Sequence, residues 1–227
     1  MPRPPSRRLP PIRQVLEIMA ALRSPEGCPW DREQDHQTLR WHAVEEVYEL
    51  LDAIEAHDDV EMAEELGDLL LQVVFHAQLA RERKAFDFDA ICQRLADKLV
   101  RRHPHVFGDV QVKDVDQVWA NWESIKRAEK SGTRHERQSA LDGVPKHLPA
   151  LMRAQKLFKK ATKAGLSKPK KVSTKASRKA VAEQLCVLAE LCQQRGWSAE
   201  ELLQGALRQR ERTWRRDEAR LARAKKG

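Results

Sequence analysis

Apolar residues recur three and four positions apart along most of the 227-residue chain, the signature of helices that bury one face. Ile12, Val15, Leu16, Met19 and Leu22 predict a short helix over residues 12–22. Ser24-Pro25-Glu26-Gly27-Cys28-Pro29 ends it, because two prolines and a glycine make a turn, and Trp30-Asp31 stands at the exit. A second helix is predicted over residues 38–56, with Val44, Val47, Leu51 and Ile54 on one face. Asp58 or Asp59 caps a third, which runs to about Arg83. Asp87 caps a fourth, through Ile91, Leu95 and Leu99, ending near His103-Pro104. Phe107-Gly108-Asp109 forms a loop, and Asp114 or Asp116 opens a fifth helix carrying Val118, Trp119, Trp122 and Ile125.

The pattern loosens after Lys130. Residues 131–149 are polar, with Gly and Pro punctuation, and residues 151–161 can be helical. Residues 163–179 are rich in Lys, Ser and Thr and read as a linker or disordered stretch. Residues 178–194 and 198–223 are again helical, the last opening on Ser198-Ala199-Glu200-Glu201, which fits a capping box.

Composition strengthens the helical reading. Leu, Ala, Glu, Gln, Arg and Lys dominate, against 9 Gly, 5 Phe and 1 Tyr. With 41% hydrophobic residues the chain can bury a core, and no apolar run reaches the length of a membrane span. The basic, Pro-rich start lacks the apolar stretch of a secretory leader, so the expected compartment is the cytoplasm. Cys28, Cys92, Cys186 and Cys192 make no C-x-x-C pair and read as reduced packing thiols. Charge divides the chain: residues 1–130 carry a net −7 and residues 131–227 a net +15. The acidic half suits cations; the basic half suits anions or forms a solvated tail.

The candidate chemistry lies in the second and third predicted helices. Glu46 and Glu49, three apart, are neighbours on one helix surface, and Glu65 and Asp68 repeat the arrangement. On the third helix Leu66, Leu69, Leu70, Leu71, Val73, Val74 and Phe75 cover nearly the whole circumference. Glu61, Glu65, Asp68, Gln72 and His76 share the remaining sector of roughly 80°. A helix apolar on most sides is buried, which places the acidic stripe inside a bundle. Buried carboxylates facing each other cannot all stay ionised without cations. Hard divalent ions such as Mg²⁺ match an all-oxygen donor set, and the lack of a Glu-x-x-His pair disfavours a di-iron centre. Lys98 and Arg102, four apart with Arg101 beside them, add fixed cations of the kind polyphosphate chemistry uses, although a basic helix end is also favoured by the helix dipole. Trp30, after its stiff turn, could stack on a nucleobase or pack in the core.

Four segments carry a resemblance: Gly27-Cys28-Pro29-Trp30-Asp31-Arg32-Glu33-Gln34, Glu45-Glu46-Val47-Tyr48-Glu49, Glu64-Glu65-Leu66-Gly67-Asp68-Leu69-Leu70, and Asp97-Lys98-Leu99-Val100-Arg101-Arg102-His103-Pro104-His105-Val106-Phe107. In their order and spacing, residues 12–130 resemble the MazG family of nucleoside triphosphate pyrophosphohydrolases. Leu148-Pro149-Ala150-Leu151-Met152-Arg153-Ala154-Gln155-Lys156 is similar to the segment that joins two domains in long members. The resemblance implies an all-α helical bundle of the NTP pyrophosphatase type that dimerises through its helices. It implies Mg²⁺, with Mn²⁺ as an equivalent, held by Glu46, Glu49, Glu65 and Asp68. It implies cleavage of a nucleoside triphosphate between the α and β phosphates to a monophosphate and pyrophosphate. Glu45 is the candidate for orienting or deprotonating the attacking water. Trp30, Glu61, Glu64, Lys98, Arg101 and Arg102 form the expected substrate-binding set.

Two departures qualify the match. Trp41-His42 stands where many members carry Pro-Tyr, and residues 170–227 contain neither E-E-x-x-E nor E-x-x-D. The second half is therefore expected to be a shortened helical remnant without a metal site. The expected organisation is a basic tail at 1–11, a catalytic domain at 12–130, a partly disordered connection at 131–177 and the remnant at 178–227. Expected partners are nucleoside triphosphates and a second copy, as a homodimer or higher homo-oligomer, with no membrane. Two rivals remain: a catalytically silent helical scaffold, and a nucleic-acid-binding protein using the basic stretch from Lys156 to Lys179 and residues 208–223. Few aromatics accompany that stretch, so only weak, non-specific nucleic-acid contact is expected.

Overall fold

The computed structural model describes residues 2–134, 136–168 and 177–224. Every regular element among them is helical. None is long and apolar enough to cross a membrane. The chain divides into two compact units, 1–122 and 123–227. Lys130 is where the sequence pattern loosens, yet the division falls earlier, inside a helix.

The first unit contains α1 (Pro11–Leu22), α2 (Pro29–Glu33), α3 (His42–Ala56), α4 (Asp59–Glu82), α5 (Phe88–Arg102), α6 (Pro104–Phe107) and the first half of α7 (Val115–Ala128). Local chemistry sets most of the ends. Asp87 accepts from Ala90 N as expected, while Asp58 Oδ1, accepting the Val60 and Glu61 N–H groups, and Asp114, accepting from Gln117 N, resolve the two caps left open by the sequence. The α3 start differs from the predicted Thr38. Asp35 Oδ1 captures the Gln37 and Thr38 N–H groups in an Asx turn, so regular helix begins only at His42. The short helices α2 and α6 both open on proline, which starts helices as readily as it stops them.

Met19, Leu39, Val74, Phe75 and Leu79 form the core of this unit, joined by Val15, Leu16 and Phe88. Arg23 fastens its periphery. The guanidinium binds both oxygens of Glu82 at 2.7 Å, reaches the carbonyls of Asp31 and Gln34, and lies 5.6 Å from the Phe75 ring centre. Gly27 allows the preceding turn to close: a Cβ there would collide with the carbonyl oxygens of Leu22 and Ala21.

The packing of α3 on α4 buries part of the acidic stripe, as expected, and corrects the burial expected of the apolar circumference. The polar sector of α4 faces inward, with Glu65 and Gln72 only 8% and 7% exposed. Leu66 and Leu70 are 50% and 40% exposed, and Val44, Val47, Leu51 and Ile54 of α3 are exposed with them. Within a single chain the middle of the acidic stripe is thus covered, Glu61 at its start is exposed, and much of the apolar circumference is open. Only the second half of α4, from Val74 to Ala80, buries apolar side chains as expected.

The second unit contains the rest of α7 together with α8 (Ala150–Lys163), α9 (Arg178–Gln194) and α10 (Ala199–Ala224). α8 arises inside the stretch expected to connect two domains, and it packs on α10. Leu157, Ala161, Leu207 and Trp214 meet there with Leu141 and Ala154. Arg153, 4% exposed, donates to Glu211 at 2.6 Å and to Gln204. Arg215 joins Glu211 to Asp142, and Glu218 accepts from Ser139 Oγ and Ala140 N. Ser198 caps α10, as its position predicts, and Ser177 caps α9. Of the expected flexible linker, residues 169–176 lie outside the described residues, as does Met1 of the expected tail.

Candidate functional site

The acidic pairs meet where α3 lies on α4. One carboxylate oxygen each from Glu46, Glu49 and Glu65 fall within 4.8 Å of one another. The i, i+3 spacing puts Glu46 and Glu49 on one surface of α3, and the packing presents that surface to Glu65. Gln72, two turns beyond Glu65 on the same sector, donates through Nε2 to Glu46 Oε1 at 3.2 Å. Oε2 of Glu65 is buried without a hydrogen-bond partner.

The electrostatics follow from that geometry. Burial pushes the Glu46 carboxyl above its ordinary value, and Asp68 pushes it further, against the stabilising Gln72 bond. Burial raises Glu65 as well, followed by the negative charges of Glu49, Glu61, Asp68 and Glu46. Asp68 and Glu61 therefore belong to the same electrostatic neighbourhood, and the charges that act most strongly on the two raised groups are all carboxylates. A donor set of oxygens alone, one of its carboxylates carrying a buried unsatisfied oxygen, fits a hard divalent cation.

The other predicted site residues are placed around this centre in different ways. Glu45 is exposed and turned toward His42, whose Nδ1 is 3.7 Å from Glu45 Oε2. Glu64 is exposed on α4. Lys98, Arg101 and Arg102 occupy the end of α5, the helix packed on α4, whereas the carboxylate cluster is built by α3 and α4 alone. Arg102 is held with its guanidinium 5.8 Å from the Trp122 ring centre on α7. Trp30 is 53% exposed, edge-on to His42 at 6.2 Å, so its ring is not a core residue.

A histidine pair escaped the sequence reading. His36 Nδ1 and His76 Nδ1 are 2.8 Å apart, with the rings stacked at 5.1 Å. One nitrogen must donate and the other accept, so the pair carries at most one proton at that contact. Burial, then the neighbouring His36, lowers the pKa of His76. The position of His76 in the polar sector of α4 was the available signal; His36, 40 residues away, offered none.

Among the described residues the first unit is thus all-helical and gathers three carboxylates where α3 lies on α4. Residues 34–107 match the MazG nucleotide pyrophosphohydrolase domain. That match lies inside the first unit. The chain is 50% identical over 155 residues to the nucleoside triphosphate pyrophosphohydrolase of Escherichia coli, a match covering 68% of this chain and 58% of that protein. It is 46% identical over 154 residues to the nucleoside triphosphate pyrophosphohydrolase/pyrophosphatase MazG of Thermotoga maritima, again covering 68% and 58%. The chain thus spans less than two thirds of the length of these relatives. Among solved structures, a mazG-related protein from Thermotoga maritima matches at 25% identity and a TM-score of 0.43, covering 50% of this chain and 97% of that one.

Proposed function

We propose that the first unit hydrolyses nucleoside triphosphates between the α and β phosphates, releasing a nucleoside monophosphate and pyrophosphate, in cleaning of the cytoplasmic nucleotide pool. The convergence of Glu46, Glu49 and Glu65 around the unpartnered Glu65 oxygen carries this reading. Glu46, Glu49, Glu65 and Asp68 would hold Mg²⁺, or Mn²⁺, which takes the same ligands. Such an ion, when bound, supplies charge neutralisation for the phosphoryl oxygens and a lowered pKa for water.

The protein's own side chains supply the rest. Lys98, Arg101 and Arg102 bind phosphate oxygens and stabilise pyrophosphate as it departs. Trp30, with its open ring, stacks on the base, and Glu61 and Glu64 border the substrate on the α4 side. Water attacks the α phosphorus, the bond to the α–β bridging oxygen breaks, and Glu45 takes the water's proton. The α9 stretch Ala182-Glu183-Gln184-Leu185-Cys186-Val187-Leu188 carries no acidic pair, so the second unit is a remnant that leaves the chemistry to the first.

The exposed apolar band of α3 and α4, continued by Leu95 and Leu99 on α5, is the surface on which two copies join. Sedimentation should find a dimer or larger assembly, and Leu66→Asp with Leu70→Asp should give monomers. A monomeric parent protein would refute that assignment.

Product analysis tests the activity. The protein is incubated with Mg²⁺ and a panel of canonical and modified triphosphates, and the products are resolved by chromatography. Monophosphate with pyrophosphate, lost with chelator, is the expected result. Diphosphate with phosphate would place the cut elsewhere and overturn the mechanism.

A further inference from the structure

The second unit has an open trough of about 1250 Å³ between α8 and α10, apart from the carboxylate centre. Its walls carry Lys159, Lys163, Lys168 and Arg210, and among the described residues no carboxylate lines it. Lys159 and Lys163 stand one helical turn apart on α8, a rise of about 6 Å. Arg210 faces them from α10, its guanidinium 5.4 Å from the Phe158 ring centre. Lys163 also pairs with Glu123 at 2.5 Å, which shares one of the four cations.

The charge segregation has an internal cause. Three of the five acidic side chains of α10 are turned to structural use, and none of the five lines the trough. Glu200 accepts from Ala150 N, Glu211 binds Arg153 and Arg215, and Glu218 binds Ser139 and Ala140. The cations of the trough are left without carboxylates of comparable number. Its floor is the Phe158–Trp214 pair, packed edge to face at 5.4 Å. Trp214 is buried, so the floor offers little ring surface for stacking, and hydroxyls of Thr162, Ser167 and Thr213 complete the lining.

From this trough we infer a binding site for the phosphate backbone of single-stranded nucleic acid. The open shape and size exceed those of an enclosed small-ligand pocket. Cations spread along two helices suit successive phosphates of one strand, and the covered floor makes recognition blind to sequence. This role is independent of the hydrolytic reading of the first unit.

Fluorescence anisotropy of the full chain with a labelled oligouridylate of roughly 15 nucleotides, within the usual size of single-strand sites, tests it. With three to four phosphates neutralised, affinity should fall about 20- to 50-fold between about 50 and 200 mM salt. Lys159→Gln/Lys168→Gln/Arg210→Gln should weaken binding at least about tenfold while melting behaviour and triphosphate hydrolysis stay unchanged. A control set, Lys156→Gln/Arg208→Gln/Arg212→Gln, removes as many exposed cations from outside the trough and should weaken it far less. Equal losses in the two sets would mean diffuse net charge and would overturn the site. So would absence of salt-dependent binding, or displacement of the strand by free UTP at equal phosphate concentration, which would reassign the trough to small nucleotides.

Discussion

The two units handle charge in opposite ways. In the first, Glu46, Glu49 and Glu65 converge, and the groups acting most strongly on Glu46 and Glu65 are further carboxylates. In the second, buried Arg153 meets Glu211, and Arg215 extends the network to Asp142. Apolar surface follows suit. The α8–α10 contact closes over Leu157 and Leu207, whereas the α3–α4 pair leaves Leu66 and Leu70 open. Charge that is matched inside the unit serves the fold. Charge left unmatched implies something added from outside, and unit 1 presents both an unmatched anionic centre and an uncovered apolar band.

Removing charge should therefore have opposite consequences in the two places. Glu65→Ala should cost about 10³-fold in pyrophosphate release, the several kcal/mol that a metal site contributes. In chelator the same variant should melt higher than the parent, because an unsatisfied buried carboxylate is gone. Retained turnover, or a lower melting temperature in chelator, would break the contrast at its stronger end.

Arg153→Ala should do the reverse. It leaves Glu211 with Arg215 alone and should cost the second unit about 3 kcal/mol, the lower range for a broken buried pair. Urea unfolding followed by the fluorescence of Trp214 would report it, with triphosphate hydrolysis unaffected. A cost near zero would mean that the second unit tolerates unmatched charge as the first does.

The smallest expected effect is on pH dependence. Burial and His36 hold the folded-state pKa of His76 below its ordinary value. Above pH 6.5 neither state binds the proton. As pH falls through 6.5 the unfolded chain binds it first, so the first unit loses a fraction of a kcal/mol until the folded-state pKa is passed. Glu46 and Glu65, raised in the folded state, act with the opposite sign at lower pH, favouring the metal-free fold as they protonate. Melting curves between about pH 7.5 and 5.5 should therefore slope downward on acidification, and His76→Gln should flatten them. An unchanged slope in that variant would remove the pair from the account.

Much of the site was legible before the fold. The i, i+3 carboxylate pairs are a local property of any helix, and Asp58, Asp87 and Ser198 cap where their side chains meet free N–H groups. The late start of α3 was missed because the Asp35 turn competes with helix for the same N–H groups. The polar sector of α4 was visible as a sector, but periodicity cannot tell which sector meets a neighbour. Burial was assigned to the acidic stripe and to the leucines alike, and within one chain α3 covers Glu65 and Gln72 while Leu66 and Leu70 stay exposed.

Helices, their caps and the spacing of acidic and basic side chains along them were thus determined by the sequence alone, because each depends on residues within a turn or two. Only the tertiary structure decided that Glu49 faces Glu65, that His36 bonds His76 and that Lys159 and Arg210 line one trough. Those contacts join residues from 16 to 51 positions apart. Their formation depends on which helix faces pack together, and a face acquires a partner only when the chain has folded.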